Sequence, residues 1–553
     1  MNTNPPFYVG LCMAGAVSAG AYTAGVMDYL IEALDEWEKR RGQPGVPDHR
    51  VVIPVMGGAS AGGMTSIIAA SAINNPIIPV KRIDGNLFQK QPQNKFYHSW
   101  VDLVADDMLP LMLDTSDIQK GKILSLLNSS FINSIAERAI QSDPSQWINR
   151  PYIAEQLKVF VTLSSLRGFW FDISFRSRGK NPDLYYINKH NDYACFQLNT
   201  PVYKNDGWIP LDFRTGKATE TARDAAMATG AFPVGLQART LKRDGQQVND
   251  NPWLQATTTI NPVPQGAFDT LNVDGGMINN EPFEKVRDVL ISLTGQTNPY
   301  DYHNFNTFTS TVLMIDPFPS LLPEYDPNDQ LFAVVASTLG TLIDQVRIKP
   351  ETLVDAMDSN LAGQYLIAPS REVPQLDGSE PREQLGAKAI ACGSFSGFGG
   401  FFHKEFRIHD YFLGRANCEK FLRDHFTVPA DSTNLITAGY ASLTEEEKKI
   451  FCSVTDEQRT YPIIPIFTPR TKGKYLPTFS SGTDWPVQNK KFLDAYKGQV
   501  RNRVDALIMN LSDYKPLTKL LVKIGAWVVL NRKLAGVALG AVKKSLTEHQ
   551  LLK

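Results

Sequence analysis

The first seventy residues alternate apolar runs with small-residue stretches, and this pattern predicts an α/β arrangement. Residues 7–13 and 50–56 are short and almost wholly apolar, which is typical of buried parallel strands. Residues 21–40 carry apolar side chains at helical spacing, and the small, apolar segment 65–73 is also predicted to be a helix. Strand, loop, helix, strand, turn and helix form the beginning of a mostly parallel sheet with covering helices.

The same rhythm continues to about residue 325 and then fades. Further strands are predicted at 157–164, 169–175, 184–187, 271–273 and 309–315, and a small-residue helix at 220–230. We therefore predict an α/β catalytic region over residues 1–325, with a mostly helical insertion or lid at 75–150. An α+β extension follows over 326–485, and a mainly helical C-terminal region over 486–553.

The composition is that of an ordinary globular protein and excludes few functions. The 553 residues have a net charge of −1, so nothing in the overall charge favours binding to nucleic acid. The five cysteines are scattered without a Cys-x-x-Cys pair, which favours a reducing compartment and disfavours a zinc site. No signal peptide is recognised at the N-terminus. We expect a cytoplasmic protein that uses no metal and no organic cofactor.

The C-terminal tail is the most basic part of the chain. Residues 515–553 carry eight lysines and arginines against the single acidic residue Glu548, with apolar residues at helical spacing. This profile is typical of a helix that lies on anionic lipid, so we predict peripheral membrane contact at the inner face of the membrane. The alternative is a basic helix docked on its own protein. The apolar runs 520–530 and 534–542 are too short to span a bilayer.

Gly58-x-Ser60-x-Gly62 lies between a predicted strand and a predicted helix. This is the nucleophile-elbow pattern, in which a sharp turn leaves almost no room for side chains beside the serine. The turn exposes the serine hydroxyl next to the positive end of the following helix. Ser60 is therefore the candidate nucleophile.

A serine nucleophile needs a base and a group that stabilises the oxyanion. Asp274 follows the predicted strand 271–273, and Gly275 and Gly276 after it allow the backbone to turn closely, so Asp274 is the candidate base. The small-residue loop 15–20 joins a strand to the start of a helix, where backbone N–H groups favour negative charge. Its candidate donors are the N–H groups of Gly15, Ala16 and Val17.

Together these segments resemble the patatin-like phospholipase family, in particular its longer bacterial members. The small-residue block 226–233 adds a fourth match in the same order, so the resemblance covers about residues 7–320. It implies a three-layer α/β sandwich and a Ser60–Asp274 dyad without histidine. It also implies that the protein hydrolyses fatty-acyl esters of phospholipids through an acyl-enzyme.

The oxyanion loop departs from the family pattern, which is commonly Gly-Gly-Gly-x-Arg-Gly. Here only Gly15 and Gly20 remain, and Ala19 stands where the arginine is expected. Alanine and valine keep their backbone donors in place provided that their φ angles are negative.

Several alternatives remain open from the sequence. A Ser-Asp-His triad is compatible with the chain order, because five histidines follow Asp274: His303, His403, His409, His425 and His549. The enzyme is alternatively an acyltransferase, or a membrane-damaging effector that needs a ligand or partner to become active. The glycine- and phenylalanine-rich segment 393–402 is either the wall of an acyl channel or a plain packed loop.

Overall fold

The computed structural model describes most of the chain. The described residues are 5–83, 85–119, 121–175, 183–254, 265–295, 305–319, 364–374, 379–455, 458–468, 476–510 and 531–553.

Nine strands of the described residues form one central sheet. They are β1 (Phe7–Met13), β2 (Val51–Gly58), β3 (Ile153–Phe175), β4 (Asp183–Leu198), β5 (Ile209–Leu211), β6 (Arg239–Asp244), β7 (Ala267–Asp274), β8 (Ser310–Ile315) and β9 (Gln364–Ile367). The order is β5-β4-β3-β2-β1-β8-β9, and β7 pairs with both β3 and β6. Neighbours from β3 through β2, β1 and β8 to β9 run parallel, whereas β4 and β7 are antiparallel to β3. The predicted mostly parallel α/β sheet is confirmed.

Helices cover both faces of this sheet. They are α1 (Gly20–Glu38), α2 (Ser60–Ala72), α3 (Leu87–Lys90), α4 (Lys95–Tyr97), α5 (Leu109–Met112), α6 (Phe131–Ile140), α7 (Thr219–Thr229), α8 (Gly245–Asn249) and α9 (Phe283–Thr294). Alternate residues of β1 point to opposite faces: Val9 and Leu11 join the core formed with α1 and α2, and Cys12 joins the core formed with α9. The arrangement is therefore helix, sheet, helix.

Two features of residues 1–325 differ from the elements predicted from the sequence. The separate strands expected at 157–164 and 169–175 are one strand, β3, whose pairing with β4 shifts register between Ser164 and Phe169. The insertion 75–150 contains short helices joined by longer loops, rather than mostly helix. Its longest helix, α6, has ten residues.

The C-terminal half continues the fold of the first half. Its helices are α10 (Lys404–Asp424), α11 (Leu435–Gly439), α12 (Glu445–Phe451), α13 (Lys497–Asn510) and α14 (Asn531–Glu548), and its small sheets contain β10 (Ser370–Val373), β11 (Arg382–Leu385), β12 (Thr427–Pro429), β13 (Ser453–Thr455) and β14 (Gln458–Pro462). β9 extends the central sheet beyond residue 325. α10 packs directly on α1, where a Cβ at Gly25 would lie 1.9 Å from the carbonyl oxygen of Tyr411.

The first part of the predicted lipid-binding tail, residues 515–530, lies outside the described residues. Lys515, Lys519 and Lys523 belong to that part, whereas α14 is described and presents Lys543 and Lys544 to solvent. Within the described part of the chain, no helix is long and apolar enough to cross a membrane. The basic tail therefore stays a prediction.

Candidate active site

Ser60 lies at the sharp turn between β2 and α2. It is the first residue of the helix, five residues before the predicted start, and its φ of +49° is in the left-handed region that side chains rarely adopt. The N–H of Ser60 donates a hydrogen bond to Oγ1 of Thr229 at 2.9 Å. The serine therefore has the strained backbone that the elbow pattern predicts.

The elbow glycines lie against the backbone of the neighbouring strand. A Cβ at Gly62 would lie 2.1 Å from the carbonyl oxygen of Met13, and a Cβ at Gly58 would lie 2.5 Å from the same atom. Real Cβ atoms do not approach so closely. Glycine at both positions thus lets α2 begin directly beside the end of β1.

Asp274 is the last residue of β7, and its carboxylate reaches Ser60 directly. Ser60 Oγ donates a hydrogen bond to Asp274 Oδ2 at 2.6 Å, and the N–H of Gly276 donates to Oδ1 at 2.8 Å. A Cβ at Gly275 would lie 2.1 Å from the carbonyl oxygen of Thr162 on β3, so the close turn requires glycine there. The structure therefore brings the predicted nucleophile and the predicted base into contact, although 214 positions separate them.

Two residues of the small-residue block 226–233 fix this pair from the side. Thr229 accepts the N–H of Ser60, and the carbonyl oxygen of Ala231 accepts the N–H of Asp274 at 2.9 Å. The sequence analysis noted the block but assigned no role to Thr229. The only signal available was its position at the end of a small-residue helix.

The loop after β1 lies against the same serine. A Cβ at Gly15 would lie 3.1 Å from Cβ of Ser60, and Val17 lines the cavity that contains Ser60 and Asp274. None of the described residues accepts a hydrogen bond from the N–H of Ala16 or Val17. The N–H of Gly15 donates a long hydrogen bond, 3.4 Å, to the carbonyl oxygen of Asn280.

Val17 does not meet the condition of negative φ angles stated above. Its φ is +48°, an unusual value for a β-branched residue, which costs on the order of 1–3 kcal/mol unless the surroundings enforce it. Ala16, by contrast, has a φ of −149°. Strained residues of this kind cluster at functional sites, so Val17 joins Ser60 as a second such position in the same cavity.

The cavity beside Ser60 is lined almost entirely by apolar side chains. The empty space between its lining atoms, open mouth included, is about 850 Å³. Its walls come from α2, α6, α7, residues 99–103 of the insertion and the residues before α10, among them Met64, Ile67, Trp100, Ile135, Met227 and Phe401. Ser60 and Asp274 are only 6% and 5% exposed. An acyl chain fits this chemistry because its burial removes apolar surface from water.

The predictions for the insertion and for segment 393–402 meet at this cavity. Helix α6 of the insertion forms one wall, and Phe401 of the glycine-rich segment lines another. Phe398 of the same segment packs its ring 5.5 Å from Phe232 and 5.9 Å from Phe401, whereas Phe395 and Ser396 are exposed. The segment is therefore both a packed loop and part of the cavity wall.

Histidine is not part of this site among the described residues. None lines the cavity, and His409, the strongest triad candidate, is fully buried in α10, where its Nδ1 lies 2.7 Å from its neighbour Asp410. The ring packs against Trp485 at 4.7 Å. His303 lies outside the described residues. Over the described part of the chain, no group of three or more His, Cys, Asp or Glu side chains could hold a metal.

Comparisons with known proteins identify the family. A family model described as "Patatin-like phospholipase" matches residues 11–287, just over half of the chain. The chain belongs to the patatin-like phospholipase family.

Two similar proteins extend the comparison. The uncharacterized protein y4iI of Sinorhizobium fredii (strain NBRC 101917 / NGR234) is 31% identical over an alignment of 478 residues, and the match covers 78% of this chain and 66% of that relative's length. The crystal structure of VipD from Legionella pneumophila aligns with 99% of this chain and 86% of its own, at 11% identity and a TM-score of 0.23. A score this low carries no argument about fold or function.

Proposed function

We propose that this patatin-like protein is a serine lipid acyl hydrolase of the phospholipase A type, with Ser60 as nucleophile and Asp274 as base. The observation that carries the proposal is the 2.6 Å hydrogen bond from Ser60 Oγ to Asp274 Oδ2 beside an apolar cavity. A carboxylate at this distance can take the serine proton without an intervening histidine. The cavity gives an acyl chain a place next to the reacting hydroxyl.

The reaction proceeds through an acyl-enzyme. Ser60 Oγ attacks the ester carbonyl carbon while its proton passes to Asp274 Oδ2, and a tetrahedral oxyanion forms. Collapse breaks the bond to the alcohol, which leaves with the proton held by Asp274. Water then attacks the acylated Ser60, again giving a proton to Asp274, and the fatty acid departs as the proton returns to Ser60 Oγ.

The oxyanion is stabilised by backbone N–H groups of the loop after β1. Gly15, Ala16 and Val17 are the proposed donors, because the loop adjoins Ser60 and the N–H groups of Ala16 and Val17 have no acceptor among the described residues. One such donor is typically worth about 3–4 kcal/mol in the transition state. The positive end of α2, which begins at Ser60, adds to the stabilisation.

Residues 515–553 bring the enzyme to the surface of its substrate. Lys543 and Lys544 are exposed on the described helix α14 and favour anionic lipid. We expect the enzyme to act from the cytoplasmic side, with no metal and no cofactor. Sedimentation with anionic vesicles, compared with neutral ones, tests this contact, and a Lys543→Glu/Lys544→Glu variant should sediment less. Equal sedimentation of the variant would contradict it.

The experiment that tests the proposal is fatty-acid release from mixed phospholipid vesicles. Wild-type protein should release fatty acid, whereas Ser60→Ala and Asp274→Ala should each lose the activity at unchanged thermal stability. The lipid products identify the head group and the acyl position. A lysophospholipid or alcohol added as acceptor distinguishes an acyltransferase, which would form a new ester. Release by Ser60→Ala at the wild-type rate would contradict the proposal.

A conditionally active form of the same enzyme is the second candidate. The burial of Ser60 and Asp274 favours it, together with the cover that α6 of the insertion provides over the cavity. In that case the insertion 75–150 acts as a lid that a ligand or partner displaces, as expected of a regulated membrane-damaging effector. The substitution Ile135→Ser, which weakens the apolar contact of α6 with the cavity, should then raise the rate of hydrolysis. An unchanged or lower rate would favour the simple enzyme.

A further inference from the structure

The strained loop after β1 is held by a segment nearly four hundred residues further along the chain. We call residues 394–400 the extension loop. The N–H of Ser18 donates to the carbonyl oxygen of Gly397 at 3.0 Å, and Ser18 Oγ also donates to that oxygen. In return, the N–H of Gly400 donates to Ser18 Oγ at 2.9 Å. Ser18 is buried, so these bonds form without competition from water.

The extension loop is itself rigidly supported. Arg407 of α10 is fully buried and donates to the carbonyl oxygen of Gly400 at 2.6 Å and to that of Val101 in the insertion at 2.8 Å. The Asp410 carboxylate accepts the N–H groups of the two residues Ala391 and Cys392 at 2.8 and 2.9 Å. The loop therefore has a fixed position from which it can hold another segment.

The shape of the extension loop matches this contact. Gly397 has a φ of +91°, and a Cβ there would lie 3.2 Å from Cβ of Val17. A Cβ at Gly400 would lie 2.8 Å from Ser18 Oγ. Because these two positions are glycines, the extension loop can lie directly against Val17 and Ser18 of the loop after β1.

We propose that the extension loop is a positioning element of the oxyanion hole, which acts through Ser18 to keep Val17 in its left-handed conformation. The inference rests on the proposed function, since the N–H groups of Ala16 and Val17 matter only if an oxyanion forms at Ser60. It gives the C-terminal half a task at the catalytic site. Neither Ser18 nor any residue of the extension loop lines the cavity beside Ser60, so we expect both to act by position alone.

Two variants and a matched control test this inference. Ser18→Ala removes the hydroxyl that links the two loops, and Gly397→Ala places a methyl group against Val17. Gly482→Ala is the control, because Gly482 also has a positive φ, +83°, but has no atom within 4 Å of the added methyl group. We expect kcat to fall about 10- to 100-fold in the first two variants with KM nearly unchanged, and to stay near the wild-type value in the control.

Amide hydrogen exchange gives a readout that does not depend on catalysis. In Ser18→Ala, exchange should become faster in residues 14–19 and remain unchanged around Ser60, while the thermal midpoint stays close to that of Gly482→Ala. Unchanged exchange in residues 14–19, or equal kcat in Gly397→Ala and Gly482→Ala, would overturn the inference. A rise in KM with constant kcat would overturn it too, since it would indicate a substrate contact. If the wild type released no fatty acid, the proposed function would fail, and the exchange data would still decide whether the contact holds the loop.

Discussion

Two residues of the site have almost the same unfavourable backbone angle but are supported in different ways. Ser60 has a φ of +49° and Val17 a φ of +48°. The conformation of Ser60 is fixed by its neighbours in sequence, namely the strand before it, the helix after it, and the glycines at positions 58 and 62. Val17 lies between Ala16 and Ser18 without an adjacent glycine, and its support comes from Gly397 and Gly400.

The backbone of Ser60 is thus determined mainly by local sequence, whereas that of Val17 depends on contacts with a distant segment. An elbow formed by one strand–turn–helix unit obtains its backbone turn from that unit once it packs beside β1, and Thr229 of α7 adds one hydrogen bond from outside. The loop after β1 reaches its conformation only when the C-terminal half has docked. The nucleophile and the oxyanion donors therefore depend on different parts of the chain, and variants can separate them.

The largest effect is expected where the elbow meets β1. Gly62→Ala would place a methyl group 2.1 Å from the carbonyl oxygen of Met13, which is backbone and has little room to move. We expect the free energy of unfolding to fall by about 1–3 kcal/mol and fatty-acid release to fall at least about 100-fold. Urea unfolding and the vesicle assay measure the two effects.

Gly498→Ala is the matched control for this change. Gly498 lies in α13, where no atom is within 4 Å of an added methyl group, so alanine should stabilise the helix by up to about 1 kcal/mol and leave hydrolysis unchanged. If Gly62→Ala retained wild-type hydrolysis, the elbow would not need glycine at this position. The statement that the glycines beside Ser60 fix its conformation would then be wrong.

An intermediate effect is expected at Thr229, which supports the elbow from α7. Thr229→Val removes the acceptor of the Ser60 N–H and leaves a buried donor unpaired, at a cost of about 1–3 kcal/mol in unfolding free energy. We expect kcat to fall about tenfold in Thr229→Val and to recover in Thr229→Ser, which keeps the hydroxyl. Equal kcat in the two variants would mean that the hydrogen bond does not position Ser60.

The smallest effect on catalysis is expected at His49, where stability should nevertheless change clearly. His49 lies just before β2 and contacts the C-terminal half. Its Nε2–H donates to the carbonyl oxygen of Ile463 at 2.9 Å, and burial lowers the pKa of its imidazole to about 4. The unfolded chain binds a proton near pH 6.5 and the folded chain near pH 4, so stability is lost as the pH falls through this window.

The loss between pH 7 and pH 5 should be about 2 kcal/mol, and it should disappear in His49→Gln, which no longer titrates. Urea unfolding at the two pH values measures it, and activity at pH 7 should differ little between the two proteins. If the wild type and His49→Gln lost the same stability, the imidazole would not be buried as described.

The sequence was sufficient for the parts of the site that local chemistry determines. The elbow at Ser60 and the turn after Asp274 each lie in one short segment whose glycines have a steric reason, and the structure brings the two side chains within hydrogen-bond distance. The parallel sheet was predictable for the same reason, since buried strands are short apolar runs.

Interactions between distant segments were not predictable in this way. Thr229 is one hydroxyl in a small-residue helix, and nothing near it in sequence shows that it faces the Ser60 N–H. The left-handed φ of Val17 has no signal in the sequence, because neither glycine nor asparagine occupies that position, and the sequence analysis only made the backbone donors conditional on a negative φ. The extension loop was recognised as unusual in composition, but its contact with Ser18 spans 379 positions and depends on how α10 packs on α1.

The most direct test of the dyad is the rate at which a long-chain fluorophosphonate forms a covalent bond with the protein. We expect peptide mass spectrometry to locate the adduct on Ser60 in the wild type, and Asp274→Asn, which keeps the size of the side chain, to react at least about 1,000-fold more slowly. An adduct on another residue, or reaction of Asp274→Asn at the wild-type rate, would contradict direct activation of Ser60 by Asp274.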